Sequence, residues 1–146
     1  MPHSSRFVRE RQDWLPYFRA IADRICLRDW TIQIHDDPAQ PGHFAEVERI
    51  QGRWVAMIKL GDSFMKDKES GQRDTAAHEL IHLHLAFADD MAEMAMSKEG
   101  WESYRRFREY AVDHLASAIA PMLPLPSAIL NARKSSNPAK RTRKSK

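Results

Sequence analysis

Cysteine occurs once in the chain, at Cys26, so no intramolecular disulfide can close and no cysteine-rich zinc site can be assembled. A lone thiol of this kind is expected in the core of a protein that works in a reducing cytoplasm. Long hydrophobic runs are missing as well. The most apolar stretch, Leu115 to Leu130, is interrupted by Pro121, Pro124 and Pro126, which favours a helix end and an extended connection over a membrane span. The first ten residues include Arg6, Arg9 and Glu10 and lack both the continuous apolar stretch and the small-residue cleavage site of an export signal. A soluble, cytoplasmic protein with no membrane contact is the expectation.

With 42% hydrophobic and 29% charged residues, the 146-residue chain has the composition of one compact domain. Its positive charge is unevenly placed. Arg133, Lys134, Lys140, Arg141, Arg143, Lys144 and Lys146 crowd the last fourteen residues without a single acid, so the remainder is net negative. This divides the chain into a domain over 1–130 and a disordered basic tail over 131–146, able to touch nucleic acid or any acidic surface without sequence preference.

Apolar residues at helical spacing, Trp14, Leu15, Phe18, Ile21, Ala22 and Ile25, predict a first helix from Asp13 to Leu27, with Pro16 tolerated in its first turn. Alternation over Trp30 to His35 and again over Ala45 to Ile50 predicts two strands, and Trp54 to Leu60 is a third, more apolar one after the Gln51-Gly52-Arg53 turn. Together they read as an antiparallel meander. A helix from about Ala76 to Ala88, capped by Asp74 or Thr75, has apolar residues on more than one face. The Met-rich stretch Met91 to Glu99 reads as a linker or a loose turn before Gly100, and a last helix runs from about Trp101 to Ala120, where Pro121 ends it. The fold class is therefore α+β: an N-terminal helix, a small three-stranded antiparallel sheet, and two further helices.

The chemistry lies in His78-Glu79-Leu80-Ile81-His82. On a helix the two histidines are only about 40° apart on one face, so both imidazoles can hold one ion. Zinc accepts imidazole nitrogen, and three protein ligands leave a position for water, whose pKa then falls to roughly 7. Glu79 is the neighbouring base that takes the proton and returns it to a leaving amine. A charged residue within so apolar a segment needs a partner if it is buried, and a metal centre supplies one.

The last helix offers the third ligand, because Glu109 and Asp113 share a face at i and i+4. Glu109 is assigned to the metal and Asp113 to the free ring N–H of a liganding histidine. Pairing of both acids with Arg105, Arg106 or Arg108 on a solvated face is the competing reading. His84, about 200° round the helix from His82, points away from the site. His114 and Tyr110 are candidate donors to a developing oxyanion, with Tyr104 as a further one.

The motif followed by Glu109-Tyr110-Ala111-Val112-Asp113 resembles the gluzincin arrangement of two histidines plus a downstream glutamate. Over roughly Trp30 to Ala120 the layout is similar to minimal phage and bacterial metallopeptidase-like domains. Their glutamate helix often reads Glu-x-x-Ala-Asn-x-Phe-Ala, where this chain has Val112 and Asp113 in place of Ala and Asn. The resemblance implies a zincin-like fold, a zinc cofactor and a peptide or protein substrate. In such folds the strand preceding the motif helix borders the cleft, which would give Trp54 to Leu60 an edge for an extended peptide. A zinc-stabilised module that binds protein or nucleic acid without hydrolysis is the alternative, and a metal-free interaction domain is a third possibility. Glu79 separates the first two, since a purely structural site has no use for a base.

Overall fold

The structure is a computed structural model that describes residues 5–50 and 52–135. Helix α1 (Ser5–Gln12) and helix α2 (Leu15–Arg24) precede strands β1 (Thr31–Ile34), β2 (Ala45–Arg49) and β3 (Val55–Leu60). Helices α3 (Asp62–Lys66), α4 (Glu69–His84), α5 (Ala86–Ala95) and α6 (Lys98–Ile119) follow, then a 3-10 turn at Ala120–Met122 and α7 (Pro126–Ser135). The α+β class is as expected from the sequence.

The sheet is mixed, which corrects the antiparallel meander. Its order is β1-β3-β2, with β1 parallel to β3 and only β2 antiparallel to it. Composition explains the placement. Ala56, Ile58 and Leu60 are fully buried in β3, the most apolar strand, which therefore takes the centre, while Ala-Glu-Val-Glu-Arg of β2 carries the charges that suit an exposed edge. The long connection before β2, with Gly42 at φ 90°, returns the chain to the far side of β3. β3 consequently has neighbours on both sides and offers no edge to a peptide, so the free edge beside the motif helix belongs to β2.

Tyr17, Phe18 and Ile21 of α2 are completely buried, and Trp14 and Phe64 meet edge to face at 4.8 Å over the same core. Each such side chain contributes about 1.5–3 kcal/mol through burial. The first helix of the sequence reading, Asp13 to Leu27, is shorter and has a helical predecessor in α1. Arg11 of α1 is buried, with its Nε donating to Leu60 O (3.1 Å) and Nη2 to Asp62 Oδ1 (3.0 Å), which ties the N-terminus to the end of β3.

Cys26 is exposed rather than core. It takes φ 63° immediately after α2, where Leu27 N–H reaches back to Ala22 O (2.8 Å) and closes the helix in the Schellman manner. The spacing of Ile25 and Leu27 disguised a capping position.

α4 begins a full turn and more before Ala76 and ends at His84, where Leu85 breaks the expected continuous helix. Its early turns form because Gln72 Nε2 donates to Phe64 O (3.0 Å) in the core and because Gly71 leaves room for the Asp67 carboxylate. Buried Ala76, Ala77, Leu80, Ile81 and Leu83 surround the helix axis, as a central element packed against sheet and α6 requires. Of the Met-rich stretch, Met91 to Ala95 belong to helix α5 and only Met96 and Ser97 separate it from α6. Ser97 accepts from Gly100 N–H (3.2 Å) and so starts α6 at Lys98, ahead of Trp101. The segment after Pro124 is helix α7 rather than an extended connection, and it crosses the expected boundary at residue 130. The basic tail beyond Ser135 lies outside the described residues. Among the described residues no single helix is long and apolar enough to cross a membrane.

Candidate metal centre

His78 and His82 stand one turn apart on the same face of α4, with their Nε2 atoms 3.1 Å from each other. Two imidazole lone pairs held that close repel unless a proton or a cation lies between them. Across the groove, Glu109 of α6 brings Oε2 to 3.7 Å from His78 Nε2 and 3.5 Å from His82 Nε2. The three donor atoms thus form a nearly equilateral triangle, and among the described residues they are the group able to share one ion. Bond lengths of about 2.0–2.1 Å to a tetrahedral zinc correspond to ligand separations of about 3.3–3.4 Å, so donor type and spacing both fit.

Asp113, one turn beyond Glu109, sits with Oδ1 3.0 Å from His78 Nδ1. That is the ring nitrogen opposite the shared point, so a carboxylate there keeps the ring proton on Nδ1 and leaves Nε2 free to bind. Of the two acids, Glu109 is therefore the one that joins the histidine pair. The competing arginine pairing also forms in part. Arg108 Nη2 donates to Glu109 Oε1 at 2.7 Å, leaving Oε2 for the histidines.

Glu79 is only 9% exposed. Burial, with the negative charges of Glu109 and Glu46 adding to it and a hydrogen bond from Val47 N–H opposing it, pushes its carboxyl up to about 8. The origin of that bond is the edge strand. Phe44 O and Ile50 N–H bond to β3, so the alternate residues Ala45, Val47 and Arg49 turn their main-chain groups away from it, toward α4. His82 is held below the ordinary histidine range by burial first, against the pull of the Glu109 charge. Glu109 itself lies below the ordinary carboxylate range, because Arg108 and the two histidines outweigh the effect of burial.

These groups line an open cleft of about 890 Å³ whose walls include Ala45, Glu46, Val47, Glu79, Glu102, Arg105, Arg106 and Arg108. A smaller recess of about 360 Å³ continues past His78 and Glu79 toward Phe44, Asp113 and Ala116. Tyr110 and His114, the expected oxyanion donors, are exposed and line neither space. Tyr104 is committed elsewhere, donating to Asp89 Oδ1 at 3.0 Å. His84, as its helical position demands, faces away and meets Ile25 O at 2.7 Å.

Sequence reasoning missed Asp89, and it named Arg108 only as a partner of the acids on a solvated face. Asp89 of α5 is buried and accepts from both Tyr104 and Arg108 Nη1 (2.7 Å), so it fixes the guanidinium that in turn fixes Glu109. The available signal was an acid beside Phe87 and Ala88, hidden because the motif helix was expected to end at Ala88. No family model, curated protein or solved structure matches the chain.

Proposed function

We propose that this chain is a zinc-dependent metallopeptidase of the HExxH, gluzincin-like type. His78, His82 and Glu109 would hold the zinc, and Glu79 would act as general base in peptide-bond hydrolysis. The observation that carries the proposal is the placement of Glu79, a buried carboxyl beside three converging metal-type donors at the wall of an open cleft. A structural metal site needs the donors but not this fourth group.

Zinc bound there would supply Lewis-acid polarisation of a substrate carbonyl and acidify a water to a pKa near roughly 7. The chain's own residues do the rest. Glu79, buried beside the donors, would take the proton of the attacking water once a bound cation holds it ionised, and deliver it to the departing amine. Val47 N–H holds that carboxylate in place. Asp113 sets the tautomer of His78, and Arg108, braced by Asp89, keeps one oxygen of Glu109 turned toward the histidines. The outward main-chain groups of Ala45 and Arg49 provide the edge on which an extended peptide can be held with little sequence preference.

The test is equilibrium dialysis of the purified protein against zinc near neutral pH, followed by metal analysis. One zinc per chain, lost in His82→Ala and in Glu109→Ala, is the expected result. Absence of binding removes the metallopeptidase reading, whereas stoichiometric zinc with no cleavage of any unfolded protein substrate favours a binding module.

A further inference from the structure

We infer that the substrate is an acidic peptide, whose carboxylate is met by Arg105 and Arg106 at one end of the cleft. This rests on the reading of the cleft as a peptide-binding site and adds the chemical class of what enters it.

The argument is one of unengaged guanidinium groups. Arg49 is occupied by Asp90, with Nη2 to Oδ1 at 2.9 Å and Nη1 to Oδ2 at 3.2 Å, and Arg108 is occupied by Asp89 and Glu109. Among the acids of the wall, Glu46 meets His43 Nδ1 (2.7 Å), Asp89 and Glu109 share the single cation Arg108, and Glu79 is turned to Val47 N–H. Arg105 and Arg106 are exposed, line the cleft and have no ion pair among the described residues, with Glu102 the single acid of the wall in the same condition. At this end of the cleft two guanidinium groups and one carboxylate are therefore left without an ion-pair partner among the described residues. Such guanidinium groups bind carboxylates through paired hydrogen bonds, and they do so at little cost when they are not already engaged.

Position along the helix sets the distance. Arg105 is four residues before Glu109 on one face of α6, about 6 Å along the axis at 1.5 Å per residue. An extended peptide advances about 3.3 Å per residue, so the acidic side chain falls about two residues from the bond being cleaved. The other end of the groove differs. There Asp113 is turned to His78, Asp74 is paired with Arg73, and Phe44, Ala45 and Ala116 give apolar walls. The unengaged guanidinium groups are thus confined to one side, which would orient an acidic substrate.

The experiment uses two pools of short fluorescein-labelled peptides built from uncharged residues, identical except that one pool carries Glu where the other carries Gln. Binding to zinc-loaded Glu79→Gln protein is followed by anisotropy, and cleavage by the zinc-loaded wild type is followed in parallel. The expected result is about tenfold tighter binding of the Glu pool at low salt, reduced to parity in Arg105→Gln/Arg106→Gln and weakened by added salt. The wild-type kcat/KM should show the same ratio. Equal binding of both pools, or a Glu preference that survives the double substitution, overturns the inference. A Glu preference in binding without any cleavage retains it while removing the peptidase reading.

Discussion

Asp113 places its carboxylate 3.0 Å from His78 Nδ1, on the side of the ring facing away from the donor triangle. Holding the proton there keeps Nε2 available, so under the proposed zinc binding the histidine would already be in the required tautomer. Asp113→Ala is expected to weaken zinc binding by about 10–100-fold while the fold is retained, because the residue is exposed. Competition with a fluorescent chelator measures this. An unchanged dissociation constant would make Asp113 an ordinary surface acid.

Arg108 is a mostly buried cation braced between Asp89 and Glu109. Arg108→Met leaves Asp89, which is buried, with Tyr104 as its remaining partner, and loss of one member of a buried pair costs about 3–5 kcal/mol. Urea unfolding of the metal-free protein should show a loss of that order. The double variant Arg108→Met/Asp89→Leu should recover a substantial part of it, since no unpaired charge remains buried. A loss below about 1 kcal/mol in the single variant would place the pair among surface ion pairs of small effect.

Stability of the metal-free protein should depend on pH in a way that isolates Glu79. Its carboxyl rises, chiefly through burial, from the ordinary 4.5 to about 8, so the stability present while it is protonated is lost as pH climbs between those values. His82 is shifted the other way, so its contribution grows with pH and is complete above its ordinary 6.5. From pH 6.5 to 8 the Glu79 effect therefore acts without opposition from His82 and amounts to about 2 kcal/mol, at 1.36 kcal/mol per unit. Denaturant titrations in chelator should show the wild type losing this much relative to Glu79→Gln. Parallel profiles for the two proteins would contradict the burial of an ionisable carboxyl at this position.

Cys26 adopts φ 63° at the end of α2, where glycine is the residue without steric penalty. Cys26→Gly is expected to raise stability by about 1 kcal/mol, given the cost of roughly 1–2 kcal/mol for other residues in this conformation. The melting temperature should rise by several degrees. A fall would mean that the thiol makes an interaction outweighing its backbone strain.

What could be read from the sequence follows the range of the interactions concerned. The placement of His78 and His82 on one helix face, and of Glu109 and Asp113 on another, depends only on helical periodicity, and the structure places all four as that periodicity requires. The sheet was not legible to the same degree. Two strands were visible in their alternation and the third in its apolar run, but the parallel pairing of Thr31–Ile34 with Val55–Ile58 is a contact between segments separated by the whole of β2, and no local pattern encodes it. Helix α5 was lost because its exposed Phe87, Met91 and Met94 blur the apolar stripe, and the burial of Asp89 is created only when Tyr104 and Arg108 arrive from α6. Gly71 concealed the start of α4, since its place in the helix depends on the Asp67 carboxylate lying against it.

The central claim is that Glu79 is a base and not merely a neighbour of the metal. Glu79→Gln is nearly isosteric and cannot take a proton, so the most direct measurement compares it with the wild type, both zinc-loaded to the same stoichiometry, on a denatured, unstructured protein substrate such as casein. The prediction is equal zinc content and equal folding, with cleavage by the wild type, its abolition by chelator, and a loss of at least about a hundredfold in the Gln variant. Equal cleavage by the two proteins, or no cleavage by a wild type that has bound its zinc, would contradict the account.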